Sequence, residues 1–435
     1  MTPAARLQAA IELLAAVEED ERPADLVARR YLRARRYIGS KDRRAITDRL
    51  YAVLRAQFAL DWRLNHHGAT PSARLRALVH SVLTEAAGLD SVATLCGSSQ
   101  YAPPTLSEVE ATLLGEIAAA DHDDRAAMPT AARLGVPEWL MPGLERRFGV
   151  ALEREAAALL GEASLDLRVN ERRAERDAMV AALCSLGLDA APTPLSPIGV
   201  RVAGRPNITG LDAYRDGLIE VQDEGAQLVA LLVAAETARC VVDFCAGAGG
   251  KTLALGQRLA QDARLIACDT DGDRLARMEP RRARAGVEDI ETHVLGDADD
   301  PWFTEMAGGA DRLLLDMPCS GTGTWRRAPD QPHRLTAERL ATYRAQQMTI
   351  LEQAAPLVAP GGRLIYATCS VLGEENEDQI TAFLDAHADF KAMSIEAIWR
   401  ETIGTEPPAT GSWLQLTPHA HGTDGFFIAM LERAR

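Results

Sequence analysis

The sequence predicts an α/β protein whose C-terminal half is a mostly parallel, doubly wound sheet, preceded by a small α+β subdomain and an all-helical N-terminal domain. Three observations predict it. From about residue 225, short apolar runs alternate with helical stretches, as in a parallel sheet covered on both faces. Between 136 and 224, isolated strand-like segments surround a helix. In residues 1 to about 90, apolar groups recur at helical spacing with almost no alternation of period two. The expected boundaries are therefore 1–135, 136–224 and 225–435.

In order along the chain, Ala9, Ile11, Leu13, Leu14 and Val17 share a helical spacing, as do Tyr51, Val53, Leu54 and Phe58. The pattern weakens over 91–135, and Asp121-His122-Asp123-Asp124-Arg125 ahead of Met128-Pro129-Thr130 reads as a linker. A helical signal resumes at Pro137-Glu138-Trp139 and passes Leu144 and Phe148 to Leu160. Residues 165–170 read as a strand, 175–186 as a helix, and 199–202 and 217–222 as strands. Beyond 225, 241–245 is an apolar strand, Gly247-Ala248-Gly249-Gly250 a glycine turn, and 252–259 a helix. Further strands are expected at 265–268, 312–315 and 363–367. In Asp269-Thr270-Asp271-Gly272-Asp273 the glycine falls too early for a calcium loop and no glutamate closes it, so it reads as a strand-to-helix turn.

Composition narrows the function. No run of apolar residues is long enough for a membrane span, and the N-terminus lacks the layout of a signal peptide. Seven scattered cysteines without a Cys-x-x-Cys pair argue against a disulfide framework and against a structural zinc, so no metal is expected. The expectation is a reduced, cytoplasmic protein with free thiols. A net charge of −15 excludes a globally basic nucleic-acid binder. The charge is uneven, however. Arg22, Arg29, Arg30, Arg33, Arg35, Arg36, Lys41, Arg43, Arg44 and Arg49 face only Asp25, Asp42 and Asp48 over the same stretch. Such a segment is either a phosphate-neutralising patch or a solvated helix face.

The candidate site residues fall repeatedly at the carboxyl ends of expected strands, where open parallel sheets bind ligands. The turn after 241–245 lets backbone approach a cofactor closely, but it does not match Gly-x-Gly-x-x-Gly, so a nicotinamide fits weakly. Asp269 ends the next strand, where a carboxylate can accept hydrogen bonds from ribose hydroxyls. Asp297 is placed to meet an adenine amino group. Helix capping or turn formation is the alternative for both aspartates. Lys251 is one of only three lysines, with 41 and 391, in a chain that otherwise uses arginine. A compact point charge suits a tight site, although a surface lysine is the plainer reading. Cys184, Cys240 and Cys268 read as small core residues. Cys319, in Asp316-Met317-Pro318-Cys319-Ser320-Gly321-Thr322-Gly323, and Cys369, in Thr368-Cys369-Ser370, stand on turns open to a cleft, as reactive thiols do.

These segments resemble the RsmB (Sun/Fmu) branch of the RNA cytosine-5 methyltransferases. The matching pieces, in the family's order, are Val221-Gln222-Asp223-Glu224-Gly225-Ala226-Gln227, Asp243-Phe244-Cys245-Ala246-Gly247-Ala248-Gly249-Gly250-Lys251-Thr252, the Asp316–Gly323 segment, and Tyr366-Ala367-Thr368-Cys369-Ser370. The arginine-rich N-terminus is similar to the branch's NusB-like RNA-binding domain. The family's usual Ala-Pro-Gly-Gly-Lys turn is replaced here by Gly247-Ala248 before Gly249-Gly250-Lys251, which removes no donor, and the stretch from Arg326 to His333 matches less clearly.

The resemblance implies a Rossmann-like methyltransferase domain that uses S-adenosyl-L-methionine. The cofactor would be held by Cys245, Ala246, Gly247, Ala248, Gly249, Gly250, Lys251, Asp269, Asp297 and Asp316. It implies methylation of carbon 5 of a cytosine in RNA, with ribosomal RNA favoured over tRNA. Nothing in the sequence demands more than a monomer, and no membrane partner is expected. Cys369 would attack carbon 6, Cys319 would serve release, Asp316 would bond the cytosine edge, and Lys251 would favour the thiolate. The competing readings are a nicotinamide-dependent dehydrogenase, a catalytically silent RNA-binding ribosome-assembly factor, and a DNA cytosine methyltransferase, in which the Pro-Cys thiol would be the nucleophile.

Overall fold

The computed structural model describes residues 1–84, 88–297 and 299–435. Two compact units emerge: residues 1–161 with 325–335, and residues 162–324 with 336–435. The helical stretch expected up to residue 90 crosses residues 85–87, which lie outside the described residues. Among the described residues, no helix is long and apolar enough to cross a membrane.

The first unit is helical. Its opening helix, Pro3–Glu19, starts where Thr2 accepts a hydrogen bond from Ala5 N and Pro3 presets the first turn. It buries Leu7, Leu13, Leu14 and Val17 against helices Ser40–His66 and Ala73–Thr84. The expected linker at 121–125 is instead the last part of helix Glu108–Ala127. Ser107 and Glu110 close a capping box at its start. Asp124 is buried, with both carboxylate oxygens about 3.2–3.3 Å from His67 Nε2, and Arg125 pairs with Asp121 one turn away. An acidic run that reads as polar is thus half-consumed by tertiary partners. Residues 325–335 belong to this unit. Asp330 accepts from Ala24 N at 3.0 Å, Arg334 donates to Val17 O and Asp20 O, and His333 stacks on Phe58 at 4.2 Å.

The second unit contains two sheets. Strands β1 (Leu165–Val169), β2 (Ala190–Pro192), β3 (Gly199–Val202) and β4 (Ile219–Val221) form an antiparallel sheet in the order β2-β3-β1-β4. The short β2 was not expected, since two alanines and a proline carry no strand signal. Helix Arg176–Ser185 closes one face with Met179 and Leu183 over Leu167, Val169 and Val200. Cys184, expected in the core, is exposed on this helix. The packed face takes Met179 and Leu183, and position 184 turns away from it.

The larger sheet comprises β5 (Cys240–Asp243), β6 (Arg264–Asp269), β7 (Glu291–Val294), β8 (Ala310–Asp316), β9 (Val358–Thr368), β10 (Phe390–Ala392), β11 (Trp413–Leu416) and β12 (Phe426–Arg433). Its order is β10-β12-β9-β8-β5-β6-β7, with β11 on β12. The pairs from β7 through β9 are parallel, and those of β12 are antiparallel. Two apolar clusters fill its two faces, one around Val241, Leu253, Leu314 and Ile365, the other around Val242, Leu313, Leu315 and Tyr366. Successive strand residues point to opposite faces, which is why central strands read as unbroken apolar runs. Register aligns Asp243 with Leu314, and Asp316 with Ala367. The carboxyl ends of β5, β8 and β9 therefore share one edge.

Candidate active site

A cleft of about 700 Å³ opens at that edge. Its first wall is the turn between β5 and helix Gly250–Arg258. Gly247 and Gly249 both have positive φ, 55° and 78°, which a residue with a Cβ adopts poorly. A Cβ on Gly249 would fall 2.3 Å from Met278 Sδ, so the turn can run here only without a side chain. At Gly250 an added Cβ would meet nothing within 4 Å. The small sheet holds this turn from behind: buried Arg168 donates to Gly250 O at 3.0 Å and to Gln222, and Gln222 donates to the same carbonyl at 3.2 Å. Burial lowers the Arg168 pKa to about 10.

Asp269, at the end of β6, accepts from Gly247 N at 2.8 Å and from Asp271 N at 2.9 Å, and it lines the cleft. The following 269–273 segment is a turn into helix Gly272–Ala276, capped by Asp271. The residues fit an adenosine cofactor on two counts. Open space lies over Gly250, and a fixed carboxylate stands where a diol could donate. Of the expected cofactor residues, Cys245, Ala246, Gly247, Ala248, Gly250, Lys251, Asp269 and Asp316 line the cleft. Gly249 shapes it without lining it. Asp297 is exposed and outside the lining, while its neighbours Leu295 and Gly296 are part of it.

The opposite wall carries the thiols. Cys319 Sγ lies 3.4 Å from Cys369 Sγ, and both line the cleft. The Cys319 thiol is pushed well above its usual range by its hydrogen bond to Cys369, by burial and by the charge of Cys369. Either sulfur can donate in this S–H···S contact. Lys251 Nζ donates to Asp316 Oδ2 at 2.6 Å and lies 5.3 Å from the centre of the Phe426 ring. Burial alone would lower the Lys251 pKa, but the charge of Asp316 outweighs it and the net direction is upward, so the ammonium keeps its charge. Cys245 also lines the cleft. Burial and the charges of Asp243, Asp316 and Asp269 push its thiol far up, which keeps it protonated and a poor nucleophile. Cys240 and Cys268 are buried, as core residues. Asp243 is fully buried beside Thr252, and burial raises its pKa to about 7. Among the described residues, no group of three or more His, Cys, Asp or Glu side chains could hold a metal ion.

Several cleft residues escape sequence reasoning. Phe426 arrives because β12 pairs antiparallel with β9, setting Phe427 opposite Thr368. Gln346 and Ile350 come from helix Ala337–Ala354. Behind the thiols, Gln347, Glu375 and Asn376 are wholly buried. The one available signal was the polar run Glu374-Glu375-Asn376-Glu377 following the Cys369 turn.

A parallel sheet with a glycine turn after β5, an acidic β6 end and a cleft at the strand termini is the fold of the S-adenosylmethionine-dependent methyltransferases. A methyltransferase homolog from Pyrococcus horikoshii, 26% identical, superposes with a TM-score of 0.60 over 70% of this chain and 97% of its own. The solved structure of PH0851, 24% identical, shares the fold over 100% of this chain and 99% of its own, with a TM-score of 0.78. Residues 230–432 match the family model for 16S rRNA methyltransferase RsmB/F, and residues 136–209 match the RsmF/B-like, ferredoxin-like domain. The probable ribosomal RNA small subunit methyltransferase B of Synechocystis sp. is 32% identical over 90% of this chain and 92% of its own length. The ribosomal RNA small subunit methyltransferase B of Salmonella typhi is 31% identical over 91% of each. The chain belongs to the RsmB/F family of ribosomal RNA small subunit methyltransferases.

Proposed function

We propose that this protein methylates carbon 5 of a cytosine in ribosomal RNA through a covalent adduct between Cys369 and carbon 6. The observation that carries the reading is the pair of sulfurs 3.4 Å apart in one cleft, beside the Lys251–Asp316 pair. When bound, S-adenosyl-L-methionine supplies an electrophilic methyl group. Asp269 is the acceptor for its ribose and the glycine turn its backbone cradle, with Asp316 close by. Asp297 would serve the adenine only through a change from its present exposed position.

Carbon 5 of cytosine is a weak nucleophile. Bond formation from Cys369 sulfur to carbon 6 makes the ring an enamine, whose carbon 5 carries the electron density needed for alkylation. We assign the release to Cys319 and the attack to Cys369, on the turn after β9. The retained charge on Lys251 favours its thiolate form. Asp316 accepts from the amino group on the cytosine edge, and the charge on Lys251 offsets the negative charge that develops on the ring. After alkylation, the carbon 5 proton passes to a base and the S–C6 bond breaks, returning its electron pair to Cys369 sulfur. Cys319, in contact with that sulfur, is the residue assigned to this release step. The target base enters unpaired or flipped from its stack.

RNA backbone would be met by the helical unit, where Arg29, Arg33, Arg36 and Arg43 line one concave surface and, among the described residues, Arg29 alone of the four pairs with an acid, Asp25. On the same reading the protein is a cytoplasmic monomer of three parts, divided at 135 and 224, with a NusB-like RNA-binding role for the first.

The test uses unmodified ribosomal RNA from a strain lacking the gene. Cys319→Ala should accumulate a covalent protein–RNA adduct, seen as a retarded band on a denaturing gel, and Cys369→Ala should give none. Bisulfite sequencing locates the cytosine. Normal turnover by Cys319→Ala without adduct overturns the two-thiol assignment.

A further inference from the structure

Directly behind the two thiols lies a polar cluster shut off from solvent. Gln347, Thr322, Thr368, Ser370, Glu375 and Asn376 are each 0% exposed. Glu375 accepts from Ser320 N at 2.8 Å, from Ser320 Oγ, and from Gln347 Nε2 at 3.0 Å. Gln347 Nε2 also donates to Pro318 O at 3.0 Å. The residues on either side of Cys319 are thus both fixed through one carboxylate. Asn376 does the same for the other thiol. Its Oδ1 accepts from Thr368 Oγ1 at 2.6 Å, and its Nδ2 donates to Ser370 O at 3.0 Å. Two adjacent residues therefore grip the two different turns that carry the cysteines.

Among the described residues, no cation pairs with Glu375; its partners are neutral donors. Burying a carboxylate this way is costly compared with an apolar side chain of similar volume. Its return is geometric: a fully satisfied polar network has one arrangement, whereas an apolar contact tolerates sliding. We propose that Glu375 and Asn376 are positioning residues that set the spacing between Cys319 and Cys369, so that both sulfurs reach one pyrimidine ring. The inference rests on the two-thiol reading above. It concerns residues that do not line the cleft.

The spacing can be read without RNA. Phenylarsine oxide bridges two neighbouring thiols, forming two As–S bonds and releasing water, and intact-protein mass spectrometry in the full-length chain measures the bridged fraction. Cys319→Ser is the blank. Glu375→Ala and Asn376→Ala should bridge at least about tenfold more weakly than wild type. Their kcat for RNA methylation should fall about a hundredfold, the cost of misplacing reacting groups by an ångström or so, with KM for RNA and cofactor affinity held within about threefold. Glu375→Gln should restore bridging and most of kcat, because its amide can accept from Ser320 N and Gln347 and donate to Ser320 Oγ. If the alanine variants do not fold, judged by near-ultraviolet circular dichroism, Gln347→Leu replaces them. It releases Pro318 O and removes one donor to Glu375 while both Ser320 bonds stay, and it should weaken bridging by a smaller factor. A folded alanine or Gln347→Leu variant that bridges and turns over like wild type overturns the proposal, as does a Glu375→Gln variant as impaired as Glu375→Ala. Absence of cytosine methylation by the wild-type protein would instead sink the functional reading and leave the bridging comparison standing.

Discussion

Helix Pro3–Glu19 buries Leu7, Leu13, Leu14 and Val17, whereas the turns after β8 and β9 bury Thr322, Ser370, Glu375 and Asn376. The helical unit keeps most of its charges at the rim, as in Arg76 between Glu18 and Asp61, or Arg74 on Glu110. Its main concessions are the Arg63–Asp124–His67 group and the segment around Asp330. The sheet unit places charge and hydroxyls inside, around the cleft: Asp243 with Thr252, Lys251 with Asp316, and the cluster behind the thiols. Apolar burial stabilises without direction, and polar burial gives direction at a cost in stability. The sheet unit adds to its apolar core a directional polar layer around the cleft, which the helical unit largely lacks.

The widest contrast should come from pairing one substitution in each unit. Cys369→Ala removes the nucleophile, and methyl transfer should drop by at least about a thousandfold with the melting temperature nearly unchanged. Leu14→Ala, at a fully packed position, should cost about 2–5 kcal/mol of stability in chemical denaturation while leaving kcat intact below the melting point. A Leu14→Ala protein that is folded yet inactive would break the division between the units.

A smaller effect is expected at Asp316→Asn. It strips Lys251, whose side chain is 11% exposed, of its counter-charge. The expected loss is about 2 kcal/mol in urea melts, less than for a fully buried pair because Asp316 is partly solvated. A fall in methyl transfer should accompany it. Wild-type stability would show that the pair is solvated in practice.

A graded effect concerns pH. Burial lowers the His333 pKa to about 4, against an ordinary 6.5. Its unfolded form takes up a proton first, so the helical unit should lose stability as pH falls from about 6.5 to 4. Asp243 runs the other way. Its pKa is raised from 3.8 to about 7, so the native form holds the proton longer, and stability should fall as pH rises from about 4 to 7. Hydrogen exchange corrected for intrinsic rates should therefore show opposite slopes in helix Ser40–His66 and in β5. His333→Gln and Asp243→Asn should each flatten only their own slope.

Legibility followed the same line. Strands β5, β6, β8 and β9 could be read because central parallel strands are continuous apolar runs, and their ends pointed to the turns bearing Lys251, Asp316, Cys319 and Cys369. The helix at 108–127 could not be read through its acidic end, because what pays for Asp124 is His67, 57 residues away. Strand β12 and Phe426 were missed for a similar reason: pairing with β9 is decided by a partner far along the chain. Cys184 looked like a core residue by type and proved exposed by its place on the helix.

The sequence by itself determined strands β5, β6, β8 and β9 and their alternation with helices, the glycine turn that admits a backbone approach, and the two thiols on strand-end turns, since these depend on residue type and local periodicity. Only the tertiary structure decided that the sulfurs stand 3.4 Å apart, that Asp297 lies outside the cleft, and that Glu375 and Asn376 lie behind the thiols. Distance and burial depend on which segments meet, and contacts between remote residues leave no periodic mark on the chain.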